Sequence, residues 1–159
     1  GLKSMIRSRP ARIASLAPFR WTTVAVAMLV LLVAGTIANP AQADDKADLI
    51  GAVKAYFDAE MSGDLLQVWN LIAPSSVFKK SYTYPMYQEM VRGNATQVKR
   101  YVIEEVMEVV DRPDPENMPN VEKLGVVRVL VLLAGDGAPD AERRSVLTFL
   151  KEGGKWYKG

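Results

Sequence analysis

Apolar side chains recur at helical spacing between Lys46 and Met61. Leu49, Ile50, Val53, Phe57 and Met61 fall on one face, while Lys54 and Asp58 form an i,i+4 pair on the other. Asp44 and Asp45 suit the positive end of this helix, Gly63 can end it, and Asp64 can cap the next. The second helix is short, "LLQVWNLIA", with Leu65, Val68, Trp69 and Ile72 facing inward, and Pro74 stops it. A tyrosine-rich loop follows. Pro85 suits the first turn of a third short helix to Arg92, closed by Gly93-Asn94.

Beyond Asn94 the composition turns β-branched. Acids at Glu104, Glu105 and Glu108 could ride a helix, but the valines of "VKRYVIEEVMEVV" favour a long strand over Val98–Val110. "RPDPENMPN" reads as a loop, and "EKLGVVRVLVLLAG" as a strand apolar on both faces. "GDGAPDA" carries hairpin-turn chemistry, "ERRSVLTFLKEG" is a third strand, and Gly153-Gly154 turns into a fourth at Trp156. Helices followed by antiparallel strands predict an α+β domain. Three N-terminal helices pack on a curved sheet of three to four strands, a layering that encloses a pocket.

The segment before this domain reads differently. Lys3, Arg7, Arg9, Arg12 and Arg20 precede the apolar run Thr22–Ala38, and Ala41-Gln42-Ala43 follows it. A basic region, an apolar core and a small-x-small site form the layout of a secretory signal peptide. Residues 1–43 are therefore expected to be a signal peptide cleaved after Ala43, with 44–159 as the single mature domain. The competing expectation is an uncleaved anchor through residues 22–38, short beside the ~20 residues of a spanning helix. Either places the domain outside the cytoplasm, in the periplasm or beyond it, with a bacterial source implied. Arg7 and Arg9 are not adjacent, which favours the general secretory route over the twin-arginine route. Met5 reads as the start of translation.

Charge follows this division. The whole chain carries 20 Lys and Arg against 18 Asp and Glu, a net of +2. The five bases named above precede Asp44 and no acid does, so residues 44–159 carry 15 bases against 18 acids, a net of −3. A basic face for nucleic acid is not indicated, and Lys79-Lys80 is too small for one. With no cysteine there is neither a disulfide nor a lipobox, and with no histidine there is no Ser-His-Asp triad or His-based zinc site. Asp111, Asp114 and Glu116 are interrupted by prolines and read as a turn, not an ion site. No metal and no cofactor is expected.

"AYFDAEMSGDLLQVWNLIAPSS" and the closing "VLTFLKEGGKWYK" resemble the nuclear transport factor 2-like superfamily, also called SnoaL-like or cystatin-like α+β cones. The resemblance spans roughly Asp45 to Lys158. It implies a bent sheet around a cavity whose mouth is closed by helices. Its members include isomerases, dehydratases, cyclases, ligand carriers and dimerising modules, so fold alone does not assign function. The dehydratase and cyclase members use a His-Asp pair, which this chain lacks. The isomerases' tyrosine and two acids find no residue-by-residue match.

Candidate pocket residues are Phe78, Tyr82, Tyr84 and Tyr87, an aromatic cluster, with Tyr101 and Glu105 on the first strand. In a regular strand Tyr101, Ile103, Glu105, Met107 and Val109 share a face, which would aim Glu105 into the cone as a general acid or base. A bulge would reverse this assignment, and Arg128 could then pair with a neighbouring acid. Trp69 and Trp156 read as core, and Asp58 as solvent-facing. The leading expectation is an exported domain that binds a small apolar ligand or a partner protein. The alternative is an acid–base enzyme of isomerase or dehydratase type, with Tyr82 or Tyr84 as donor and Glu105 as base. A homodimer through the outer face of the sheet is a third.

Overall fold

The computed structural model describes residues 40–94, 96–135 and 137–159. The signal or anchor expected over 1–43 lies outside these, except for residues 40–43. Among the described residues no helix is long and apolar enough to cross a membrane.

Helix α1 is Pro40–Ser62. It starts earlier than periodicity predicts, because a proline suits a first helical turn and Ala41-Gln42-Ala43 are good helix formers. Asp44 and Asp45 therefore lie inside it. Asp45 is buried instead against the sheet, between Lys123 and Lys151. At the other end Gly63 takes φ 72°. Its N–H donates to Glu60 O at 3.2 Å and that of Asp64 to Ala59 O at 3.3 Å, a Schellman closure. Asp64 then caps α2 (Leu65–Asn70), accepting from Gln67 N at 3.1 Å. The tyrosine-rich loop contains an unexpected turn, α3 (Val77–Ser81), capped by the Ser76 hydroxyl. Pro85 sits in the first turn of α4 (Tyr84–Arg92), as expected.

Four strands follow: β1 (Gln97–Asp111), β2 (Val121–Gly135), β3 (Ala138–Glu152) and β4 (Lys155–Lys158). They form an open antiparallel sheet in the order β1-β2-β3-β4. The domain is α+β, with helices against one face of this sheet. Gly153 and Gly154, at φ 56° and 77°, make the tight β3–β4 turn that two left-handed residues allow.

The main core joins Leu49, Val53 and Phe57 of α1 to Val127, Val129 and Val131 of β2, Phe149 of β3 and Trp156 of β4. Each such side chain, fully buried, contributes roughly 1.5–3 kcal/mol. A second cluster, Ala59, Val68, Leu71 and Tyr87, binds the helices together. Met61, expected inside, is 45% exposed; the inward row drifts instead through Tyr56 and Glu60, which are half-buried.

Strand β1 is not regular. Its register against β2 slips between Val98 and Arg100, Ile103 and Glu105, and Val106 and Glu108. The inward positions are therefore Val98, Tyr101, Ile103, Val106 and Val109. Each slip inserts a residue and exchanges the faces beyond it, bending the strand. Met107 and Glu105, which a regular strand would turn inward, are exposed.

Candidate functional site

Where the end of α1 passes over the sheet, two adjoining cavities open, of about 500 and 450 Å³. Both are lined by Tyr56, Glu60, Asn94, Thr96 and Lys158. The first extends between the helices, against Val68, Ile72, Phe78, Tyr87 and Met90. The second runs along the inner face of the sheet, past Val131 and Leu133 to Arg143 and Ser145. Together they read as one cleft with an aromatic end and a sheet end.

Each polar group at the middle is fixed by a separate piece of local structure. Tyr56 and Glu60 are i,i+4 neighbours on α1, and the Tyr56 hydroxyl donates to Glu60 Oε1 at 2.8 Å. Lys158 ends β4, which is tied to the end of α2. Lys158 N donates to Leu71 O and Ala73 N to Lys158 O, both at 2.7 Å. The Lys158 Nζ donates to Gly159 O at 2.7 Å. Asn94 Oδ1 accepts from Thr96 N at 3.0 Å and shapes the loop into β1.

The electrostatics fit a partly dry cleft. Burial, then the charge of Glu60, pushes the Tyr56 phenol well above its usual range. The Tyr87 phenol is pushed up to about 12, again by burial first and Glu60 second. Burial lowers the Lys158 ammonium, and the Glu60 carboxylate opposes that shift. A carboxylate, two reluctant phenols and a destabilised ammonium thus border a space whose remaining lining mixes apolar and polar side chains. They can orient a bound polar group, but the phenols are poor proton donors near neutrality.

The sequence-predicted residues divide. Phe78 and Tyr87 line the first cavity. Tyr82 lies over Phe78, ring centroids 4.9 Å apart, and Tyr84 packs on Trp69 at 6.0 Å and Tyr87 at 6.4 Å, so both stand behind the lining. Tyr101 stacks on Phe57 at 5.0 Å and donates to Asp58 Oδ1 at 2.7 Å, outside the lining of either cavity. Glu105 takes the outward of its two expected courses and is no pocket residue: its side chain is 55% exposed and accepts from Arg128 Nη1 at 2.9 Å. The slip between Ile103 and Glu105 turns it to the outer face, so the proposed pairing of Glu105 with Tyr82 or Tyr84 loses its geometry.

The sequence pattern alone does not single out Tyr56, Glu60, Lys158 or Arg143. The signal for the first two was their i,i+4 spacing beside the Val53–Phe57 row. Lys158 and Arg143 follow only from strand register. Lys79 proves structural, its Nζ donating to Trp69 O at 3.0 Å and Ile72 O at 3.1 Å. Among the described residues no group of three or more His, Cys, Asp or Glu side chains is placed to hold a metal. No family model, curated protein or solved structure matches this chain.

Proposed function

We propose that this is an exported domain of the nuclear transport factor 2-like cone type that binds a small, largely apolar ligand in the cleft. One observation carries the reading: two adjoining cavities of about 500 and 450 Å³ share the Tyr56–Glu60–Lys158 side chains. Volumes of this size suit small-molecule sites, and apolar and polar side chains share the walls in similar measure. The bulged, bent β1 favours the cone. For export, the supporting observation is the basic–apolar–small-x-small order of residues 1–43. Asp45 is the first buried side chain of α1, so cleavage after Ala43 would remove no core residue from among those described.

Native mass spectra of the protein recovered from the exported fraction, compared with spectra after mild denaturation, test the ligand reading. A co-purifying small molecule is the expected result. Bare protein at monomer mass would sink the tight-carrier reading. A second reading has its own observation. On the outer face, Val102 and Val146 are 50% and 56% exposed, beside half-buried Val126, Leu130 and Leu132. The Glu105–Arg128 and Glu104–Arg144 pairs lie among them. A homodimer through this face would bury that strip. It predicts a bare dimer in the native spectra, dispersed by Arg128→Glu.

A further inference from the structure

Five arginines of the described chain sit on helices or strands, and four of them have an acid. Arg92 pairs with Glu89, Arg100 with Glu142 at 3.6 Å, Arg128 with Glu105 at 2.9 Å and Arg144 with Glu104 at 2.9 Å. Arg143 has no ion-pair or hydrogen-bond partner among the described residues. Its position is also different. Arg143 stands opposite Val131 in the β2–β3 register, and Val131 is buried in the inner core. Opposite residues share a face, so Arg143 belongs to the inner face, where it lines the sheet end of the cleft.

We infer that the cleft takes a monoanionic amphiphile, a carboxylate on an apolar body. The carboxylate sits on Arg143 and the apolar body runs toward Phe78 and Tyr87. This rests on the ligand-binding reading above. The charged side chains of the cleft are Glu60, Lys158 and Arg143. Glu60 is offset by Lys158, whose ammonium it favours, and by the Tyr56 donor. One positive charge remains, on Arg143. A planar guanidinium matches the two oxygens of a carboxylate. A phosphate dianion would leave its second charge unmatched and would meet the field of Glu60.

The test uses decanoate and decanol, below their aggregation limits, titrated calorimetrically into protein purified from cells expressing the full 159-residue sequence. Decanoate should bind roughly tenfold tighter than decanol, the order of one charge-assisted contact. Arg143→Gln should abolish that difference by weakening decanoate alone. Arg144→Gln, a neighbour on the outer face, should leave both affinities unchanged, and circular dichroism checks that each variant is folded. Equal affinities for the two probes, or an Arg143→Gln protein that binds decanoate like the parent, overturn the inference and leave the cleft standing. If neither probe binds, the ligand-binding reading itself falls and takes the inference with it.

Discussion

Gly125 lies where α1 meets the sheet, and replacing it by alanine tests that contact directly. A Cβ there would come within 2.5 Å of Leu49 Cδ2, 3.2 Å of Leu49 Cδ1 and 3.3 Å of Trp156 Cζ3. Carbon atoms rest at about 3.5–4.0 Å, so the nearest contact is short by roughly 1 Å. Leu49 is the far end of a flexible side chain, but it is fully buried, and Trp156 is nearly so. Leu49 must leave its rotamer or α1 must lift from β2. Overpacking of this kind costs about 1–3 kcal/mol, and the backbone advantage of alanine over glycine returns about 0.5–1. We expect Gly125→Ala to destabilise by about 1–2 kcal/mol. Gly51, on the exposed side of α1, has nothing within 4 Å of the same added atom, so Gly51→Ala should stabilise by about 0.5–1 kcal/mol. Equilibrium urea unfolding reads both as opposite shifts of the midpoint at unchanged slope. The double variant Gly125→Ala/Leu49→Ala should cost less than its two single changes added, because the clash is gone. A Gly125→Ala protein as stable as the parent, or additive costs in the double variant, would refute the packing of Leu49 on Gly125.

Four further outcomes are expected. Hydrogen bonds from Lys123 and then Lys151 hold the Asp45 carboxyl below its usual range, so its stabilisation is present above about pH 4 and is lost as pH falls through the lower folded value. Asp45→Asn should therefore cost about 1–3 kcal/mol at pH 7, less than a fully buried pair because both lysines are partly solvated. The gap to the parent in urea melts should narrow below pH 4. Glu60→Gln should move the Lys158 titration further down, seen by NMR of methylated lysine; an upward move would mean the two groups do not share the cleft. Glu105→Gln should change stability by less than about 1 kcal/mol, since its pair with Arg128 is exposed, and a loss above about 2 kcal/mol in urea unfolding would place the acid inside after all. The intact mass of the exported protein should begin at Asp44; a mass that retains residues 22–38 favours the anchor.

Element identity was legible because each element carried its own local chemistry. Gly63-Asp64, Pro85 and Gly153-Gly154 stand at the turns and caps that their side chains permit. The start of α1 was less legible, since Ala41-Gln42-Ala43 reads equally as a cleavage site and as helix. The short α3 was hidden among tyrosines, and its one cue was Ser76 three residues before Lys79. The cleft was half legible. Phe78 and Tyr87 announce themselves by size, whereas Tyr56 and Glu60 sit at the flank of the apolar stripe, where periodicity assigns neither core nor solvent.

The acids of β1 show why a site is harder to read than a fold. In a strand a side chain's face is set by parity, and parity is counted from the last bulge. With three slips, the rows of alternate residues over Val98–Val110 mix both faces, and a single acid cannot be assigned from spacing alone. What resolves it is pairing. Arg128 lies opposite Glu105 in register, on a strand whose inner positions, Val127 and Val129, are fixed by complete burial. The residue between two buried valines must face outward, and it carries its partner acid with it. The same logic places Arg143 inward, opposite Val131. A β2 strand apolar on both faces looks featureless, yet the inward row it sets determines which charges of its neighbours reach the cleft.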